Sequence, residues 1–194
     1  MCPSQPNRGE QSIRNDIERV LFTEEQIARR VETLAGQIAE QYAGRELTIL
    51  AVLTGSLIFL ADLIRKLPLP MRLDLVSVSS YPGQATRSEG PKVTVPPAGT
   101  LRGRNVLIVD DILDSGLTLQ YLLDMVAEYQ PESVSSCVLL RKERPDVENR
   151  TEAEFVGFDL PDEFVVGYGL DYDHLYRNLP DICVLKKHLY QDSQ

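Results

Sequence analysis

The sequence predicts an α/β fold with a mostly parallel central sheet that has helices on both of its faces. Short aliphatic and β-branched runs alternate with segments of helical length and spacing along most of the chain. The runs at 47–53 and 106–109 are apolar at nearly every position, which is typical of strands buried on both faces. The chain has 194 residues, enough for one domain with a full core.

The first half of the chain predicts a tail, two helices, two strands and a long loop. Residues 1–12 are polar and predict a disordered tail, after which 13–194 would form a single domain. Thr23-Glu24-Glu25-Gln26 matches a capping box, so a helix should begin there and end near Gly44. The following elements are a strand at 47–53, an apolar helix from Leu57 to about Leu67, and a strand at 73–79.

The segment 80–104 begins with Ser80-Tyr81 and is rich in Gly, Pro, Ser and Thr. A loop of this length inside a compact domain is usually functional, and we expect a mobile lid in which Lys92–Val95 forms a hairpin arm. Beyond it, the sequence predicts a helix at 117–128, a strand at 133–140 and a last strand at 182–185.

The stretch 105–119 carries the most chemical information. Asp110 and Asp111 close a buried strand, Asp114 follows, and a turn containing Ser115 and Gly116 opens the helix at Leu117-Thr118. Backbone N–H groups and hydroxyls at a helix N-terminus bind phosphate. The neighbouring carboxylates would repel a phosphate but suit ribose hydroxyls or Mg²⁺. Together these groups indicate a sugar-phosphate site.

Two other interpretations of this stretch exist: a solvated turn, or the Mg²⁺-diphosphate motif of prenyl-chain enzymes. That prenyl motif lies inside a long helix, whereas here a β-branched run precedes the acids and Gly116 follows them. A second strand–turn–helix unit at Thr54-Gly55-Ser56 could be a plain connection or a second anion site. Beside the first unit, we favour the anion site.

Composition excludes several classes of function. The net charge of −9 disfavours nucleic-acid binding, and no apolar run is long enough to span a membrane. Three cysteines without C-x-x-C spacing indicate neither a disulfide framework nor a zinc site, so we expect a cytoplasmic protein. A phosphorylated substrate would need a locally basic site. The candidate cations are Arg65, Lys66, Arg141, Lys142, Arg144 and Arg177.

Several motifs in order resemble the hypoxanthine (hypoxanthine-guanine) phosphoribosyltransferases of the type I phosphoribosyltransferase family. The stretch 105–119 resembles the family's ribose-phosphate signature, and Leu53–Ser56 resembles its Leu-x-Gly-Ser turn. The segment 155–181, which contains Phe-Val-Gly-Phe, Pro-Asp-Glu-Phe-Val-Val-Gly-Tyr-Gly-Leu-Asp-Tyr and Tyr-Arg-Asn-Leu-Pro, is closely similar to the family's C-terminal part. The likeness runs from about Ile17 to Leu185, but the stretch 143–151 departs from the family pattern.

The resemblance implies a single-domain type I phosphoribosyltransferase fold with a lid and a small base-binding hood at about 155–194. Asp114 would be the general acid/base near N7 of a purine. Mg²⁺ would be the cofactor, with Asp110, Asp111 and Asp171 as its candidate ligands. The resemblance also implies which residues bind phosphoribosyl pyrophosphate. Thr54 and Gly55 would contact pyrophosphate, and Arg177 would add positive charge for it as the leaving group. Asp110 and Asp111 would hold the ribose hydroxyls, and the 5′-phosphate would be bound by Ser115, Gly116, Leu117 and Thr118. The peptide after Leu53 is often cis in the family.

The resemblance also assigns the base-binding residues. Lys142 would donate to the 6-oxo group of the base, Phe164 would stack on the purine and the Val165 backbone would contact its edge. The implied reaction transfers 5-phosphoribosyl from phosphoribosyl pyrophosphate to N9 of hypoxanthine or guanine, in a homodimer or homotetramer. Two alternatives remain at this point: a xanthine-preferring transferase, and a phosphoribosyltransferase-like regulator that binds nucleotides and RNA.

Overall fold

The computed structural model of the protein describes residues 13–79, 91–148 and 150–191. The chain forms two compact units. One unit combines the segment that ends at Ile27 with the segment that begins at Glu163, and the other is Ala28–Asp162. The predicted disordered tail at 1–12 and the start of the predicted lid, including Ser80 and Tyr81, lie outside the described residues.

The strands and helices alternate along most of the described chain. The strands are β1 (Ile17–Phe22), β2 (Leu47–Leu53), β3 (Met71–Ser79), β4 (Lys92–Val95), β5 (Asn105–Leu113), β6 (Ser133–Lys142), β7 (Phe155–Leu160), β8 (Val165–Val166) and β9 (Ile182–Leu185). The helices are α1 (Glu24–Gln41), α2 (Leu57–Ile64), α3 (Leu117–Glu128) and α4 (His188–Gln191).

The larger unit contains a six-stranded sheet in the order β4-β3-β2-β5-β6-β7. All neighbouring strands in it are parallel except β3 and β4, which pair antiparallel. Strands β2 and β5 lie at its centre, and their aliphatic side chains are buried because both faces of a parallel sheet are covered. The predicted mostly parallel sheet is therefore confirmed, and Lys92–Val95, predicted as a hairpin arm, pairs with β3 at its edge.

Helix α1 begins where the capping box predicts. The Thr23 N–H donates to Gln26 Oε1 at 2.8 Å, and the Gln26 N–H donates to Thr23 Oγ1 at 3.4 Å. Ile27, Val31, Leu34 and Ile38 recur at helical spacing along α1, and each is at most 1% exposed. Reciprocal capping therefore fixes the start of the helix, and apolar burial holds its inner face.

The smaller unit contains an antiparallel sheet in the order β1-β9-β8. Strand β1 is absent from the sequence predictions because its residues 18–20 are exposed and give little apolar alternation. Its position depends on pairing with a distant segment, since Ile17 lies opposite Leu185 and Phe22 opposite Ile182. A core of Val166, Tyr176, Leu179, Cys183 and Leu185 supports this sheet.

Other element boundaries differ from the predictions by two or three residues. Strand β3 begins at Met71 and β6 continues through Lys142, whereas α1 ends at Gln41 and α2 at Ile64. The limits predicted for β2, α3 and β9 are confirmed. In the described part of the chain, none of the helices is long and apolar enough to cross a membrane.

Substituting Gly157 tests the packing between β6 and β7. A Cβ at this position would lie 2.2 Å from the Leu139 backbone oxygen, and neither backbone can move without breaking the sheet. We expect Gly157→Ala to lower the free energy of unfolding by about 1–3 kcal/mol. Gly36→Ala on α1 is the matched control, because a Cβ there meets nothing within 4 Å and should add about 0.5–1 kcal/mol. Chemical denaturation of both variants measures the difference, and equal stability would contradict the expectation.

Candidate active site

The strand order brings three of the predicted segments to one edge of the larger sheet. Strands β2 and β6 flank β5 on either side, and all three run in the same direction. Their carboxyl ends therefore lie together, as in other open α/β sheets that bind ligands at this edge. Thr54-Gly55 follows β2, Asp114–Thr118 follows β5, and Lys142 ends β6.

The turn after β2 lies directly against the carboxylate of Asp111. The peptide between Leu53 and Thr54 is cis, as the resemblance implied. A Cβ on Gly55 would lie 1.6 Å from Asp111 Oδ2, so any larger residue would displace that carboxylate. The glycine therefore allows the backbone of this turn to lie beside an acid that could hold a sugar hydroxyl.

Asp110 and Asp111 form a pair of adjacent carboxylates at the end of β5. The Asp111 N–H donates to Asp110 Oδ1 at 2.9 Å, and the Ile112 N–H donates to Asp111 Oδ1 at 2.8 Å. Burial of Asp110 and the nearby charge of Asp111 raise the pKa of Asp110 well above its ordinary value. A hydroxyl donor or a cation bound here would stabilise the ionised pair.

The turn before α3 has the geometry of a phosphate cradle. Gly116 is the N-cap residue with φ 84°, a left-handed conformation that favours glycine, and it carries no capping side chain. The Leu117 N–H lies 3.4 Å from Ser115 Oγ, and Thr118 stands in the first helical turn. An anion would meet backbone N–H groups, hydroxyls and the positive end of the helix dipole.

Two cations at and just after the end of β6 contact the Asp114 carboxylate. Lys142 Nζ lies 3.3 Å from Asp114 Oδ2, and Arg144 Nη1 donates to Asp114 Oδ1. Lys142 is also 3.4 Å from Asp162 Oδ1. Arg144 pairs with Asp146 as well, and this guanidinium lowers the pKa of Asp146 to about 2. The predicted acid/base and the predicted base-recognising lysine are therefore in contact.

Arg150 is a residue of this site that the sequence analysis missed. Its Nη1 donates to the Lys142 backbone oxygen at 2.5 Å and to the Asp114 backbone oxygen at 3.3 Å. A Cβ on Gly116 would lie 2.8 Å from Arg150 Cγ, so the glycine also leaves room for this side chain. Nothing in the local sequence distinguishes Arg150 from a solvated surface arginine, since its partners are distant in the chain.

The smaller unit contains the other four predicted site residues. Phe164 stacks on Tyr190 with ring centroids 4.8 Å apart and meets the edge of Tyr172 at 5.4 Å. Val165 is buried in β8, where it pairs with Val184. Contacts with two aromatic rings therefore fix the orientation of the Phe164 ring.

Asp171 and Arg177, which the resemblance assigns to different roles, are partners in the smaller unit. Arg177 Nη2 lies 2.8 Å from Asp171 Oδ1, and Arg177 Nη1 donates to the Gly169 oxygen at 2.6 Å. The other oxygen of Asp171 accepts the His174 N–H at 2.9 Å. Both carboxylate oxygens therefore have donors, and a metal ion or a pyrophosphate here would have to exchange with them.

The chemistry of Asp110 and Asp111 fits a magnesium ion. Within the described ranges, no three His, Cys, Asp or Glu side chains are grouped so as to hold a metal. Mg²⁺, however, is commonly bound by one or two carboxylates, with water and substrate phosphates completing its shell. The hard oxygen donors of a buried Asp110 and a half-buried Asp111 meet that requirement.

Comparison with known proteins agrees with this geometry. Residues 20–173 match the family model of the phosphoribosyl transferase domain. The chain is 43% identical over 184 residues to the hypoxanthine-guanine phosphoribosyltransferase of Mycobacterium avium, covering 91% of this chain and 89% of the relative. The chain belongs to this family. It is accordingly a glycosyl-transferring enzyme of purine salvage with the type I phosphoribosyltransferase fold.

Two further similarities support family membership. The crystal structure of a hypoxanthine phosphoribosyltransferase from Staphylococcus aureus superposes with a TM-score of 0.85 at 38% identity, covering 92% of this chain and 97% of that one. A bifunctional TilS/HprT protein of Listeria innocua is 40% identical over 186 residues. That match covers 95% of this chain and 28% of the Listeria protein.

Replacing Asp110 tests the electrostatics of the carboxylate pair. Because the pKa of Asp110 is raised in the folded state, its contribution to stability is present at low pH and is lost as pH rises above its ordinary pKa of 3.8. We expect Asp110→Asn to be more stable than the wild type at neutral pH, with the difference shrinking towards pH 4. Each 1 kcal/mol of difference appears as about 2–4 °C in Tm.

Thermal unfolding of both proteins between pH 4 and pH 8 measures this difference. Asp74→Asn is a control for removing an acid of the same unit whose carboxylate accepts backbone N–H groups from Leu75, Ala98 and Gly99. A wild type that remains as stable as Asp110→Asn across the whole range would refute the predicted repulsion.

Proposed function

We propose that this protein transfers the 5-phosphoribosyl group of phosphoribosyl pyrophosphate to N9 of a 6-oxopurine, hypoxanthine or guanine, giving the nucleotide and pyrophosphate. The observation that carries the proposal is the meeting of four features at one sheet edge: the Gly55 turn, the Asp110-Asp111 pair, the Gly116 cradle and the Asp114–Lys142 contact. A phosphorylated ribose needs the first three features, and a purine base needs the fourth.

In this proposal the two glycine turns and the acid pair hold the ribose donor. The Ser115–Thr118 turn binds the 5′-phosphate, the Asp110 and Asp111 carboxylates accept from the ribose hydroxyls, and the Thr54-Gly55 backbone faces pyrophosphate. The bond between C1 and the pyrophosphate oxygen breaks while the bond between C1 and purine N9 forms. Backbone N–H groups aimed at the departing oxygens stabilise the charge that develops on them.

Asp114 and Lys142 act on the base. The ionised Asp114 accepts the proton on N7 as N9 attacks, so the purine becomes a neutral substituent of the nucleotide and pyrophosphate leaves with its electron pair. The Lys142 ammonium donates to a 6-oxo group but cannot accept from the 6-amino group of adenine. The mismatch would cost about 1–3 kcal/mol, which selects oxopurines.

Mg²⁺ belongs to this proposal as a cofactor held by Asp110 and Asp111 together with the substrate. When bound, such an ion neutralises charge on the pyrophosphate. In the smaller unit, Asp171 is the candidate ligand of a second Mg²⁺, and Arg177 is the candidate cation for the leaving pyrophosphate. In the structure these two residues form an ion pair with each other. Phe164 and Val165 are proposed to contact the base.

We also propose a cytoplasmic homo-oligomer. Cys137 and Cys183 are free buried thiols, as suits a reducing compartment.

Four large apolar side chains support a subunit contact because they are left 38–48% exposed: Leu57 and Ile58 on α2, and Leu73 and Leu75 on β3. Sedimentation velocity measures the assembly directly, and a protein that stays monomeric at micromolar concentration would exclude the contact.

Nucleotide formation with a panel of bases tests the function. The bases are hypoxanthine, guanine, xanthine, adenine and uracil, each supplied with phosphoribosyl pyrophosphate and Mg²⁺. We expect product from hypoxanthine or guanine and little from adenine or uracil, and Lys142→Ala should reduce kcat/KM for the oxopurines by about 10–100-fold. Lys187→Ala, an exposed lysine in the other unit, is the control. Xanthine as the best substrate would change the proposed base, and no product from any base would refute the proposal.

Asp114→Asn tests the acid/base assignment separately. The amide keeps the size of the side chain but cannot take the N7 proton, so kcat should fall by about 10²–10⁴-fold. Binding of phosphoribosyl pyrophosphate, followed by calorimetry, should change little because Asp114 does not face the donor in this proposal. A variant with wild-type kcat would remove Asp114 from the chemistry.

A further inference from the structure

The segment 143–151 supplies two arginines to the candidate active site. Arg144 contacts both Asp114 and Asp146, and Arg150 contacts the Asp114 backbone. The acid/base candidate is thus held at its side chain by one arginine and at its carbonyl by another.

The Arg144 guanidinium bridges two carboxylates in a fixed arrangement. Its Nε and Nη2 donate to the two oxygens of Asp146 at 3.0 and 2.8 Å, while Nη1 donates to Asp114 Oδ1. A bidentate pair fixes the plane of a guanidinium, and that plane then fixes the direction of its remaining donors. Asp146 therefore orients Arg144, and Arg144 in turn orients the carboxylate of Asp114.

The two cations on Asp114 differ in how firmly they are held. Lys142 Nζ lies 3.3 Å from Asp114 Oδ2 and 3.4 Å from Asp162, which are long single-point contacts. Arg144 has three donors in use, and its side chain is 22% exposed. Moving Lys142 away from Asp114 therefore costs little interaction energy, whereas moving Arg144 away requires its bidentate pair with Asp146 to break.

We propose that Arg144 is a positioning residue that keeps Asp114 Oδ1 fixed while Oδ2, released by Lys142, becomes the oxygen that meets purine N7. The inference rests on the proposed function, because it assumes that Asp114 acts on a base. Lys142 then moves from Asp114 to the 6-oxo group as the base binds, and Arg144 stays. Asp146 is the anchor of this arrangement and has no contact with the ligand.

Arg141, the residue before Lys142 on β6, provides a matched control. It also bridges two carboxylates, Asp159 at 2.6 Å and Glu152 at 2.8 Å, and it lies three residues from Arg144. Its ion pairs are with Asp159 and Glu152 rather than with Asp114, so its removal costs a comparable set of ion pairs without freeing Asp114. Comparing kcat of Arg144→Gln with kcat of Arg141→Gln therefore separates the positioning of Asp114 from the loss of ion pairs.

The experiment measures kcat, the KM for hypoxanthine and the KM for phosphoribosyl pyrophosphate in the wild type, Arg144→Gln, Arg144→Lys, Asp146→Asn and Arg141→Gln. We expect Arg144→Gln to lower kcat by about 10–100-fold, because a misplaced acid/base costs rate even when binding is intact. The KM for phosphoribosyl pyrophosphate should change by no more than about twofold. Arg144→Lys should recover only part of the rate, since an ammonium cannot form the bidentate pair.

Asp146→Asn decides the inference where Arg144→Gln fails to fold. This variant leaves Arg144 on Asp114 but removes the anchor, so kcat should fall in the same direction by a smaller factor, about 3–10-fold, with the KM for phosphoribosyl pyrophosphate again unchanged. Arg141→Gln should retain the wild-type kcat. Melting temperatures of all variants show which losses come from unfolding.

Several outcomes would overturn the inference alone: wild-type kcat in Arg144→Gln or in Asp146→Asn, equal losses in Arg144→Gln and Arg141→Gln, or full recovery in Arg144→Lys. A wild type that forms no nucleotide from any of the bases would overturn the proposed function and this inference with it. The two failures are distinguishable because the first requires an active wild type.

Discussion

The parallel register of β2, β5 and β6 is the constraint on which the candidate site depends. Ala51 lies opposite Val109, and Leu113 lies opposite Arg141, so the three strands end within a few residues of one another. Since successive side chains alternate between faces, a slip of one residue would move every side chain of a strand to the opposite face and disrupt the close packing there. Burial of the central strands therefore also fixes which backbone and side-chain groups meet at the sheet edge.

The same register creates an electrostatic problem, because it brings several carboxylates together. Asp110 is buried beside Asp111, and its raised pKa shows the cost of charging it there. The neighbouring strand offsets part of this charge, since Lys142 and Arg144 both reach Asp114 from the end of β6. Asp114 is thus balanced by two cations, whereas Asp110 and Asp111 accept backbone N–H groups.

The sequence allowed much of the fold and part of the site to be predicted, for a physical reason. Strands such as β2 and the turn around Gly116 have local signatures: continuous apolar residues, or glycine and hydroxyl residues after acids. Strand β1 has no such signature, because its pairing with β9 joins segments more than 150 residues apart. Arg150 was missed for the same reason, since a surface arginine gives no local sign of the carbonyls that it contacts.

The cations of the site show how a protein with a net charge of −9 can present groups to an anionic substrate. Lys142, Arg144 and Arg177 each have carboxylate partners within their own unit. Unpaired cations would attract any phosphate. A paired cation leaves its carboxylate only for a ligand that places a better hydrogen-bond acceptor within its reach. Binding then becomes an exchange of partners, in which geometry rather than net charge decides what is accepted. Because Lys142 is held less firmly than Arg144, Lys142 would exchange its carboxylate partner for the ligand while Arg144 keeps Asp114 in place.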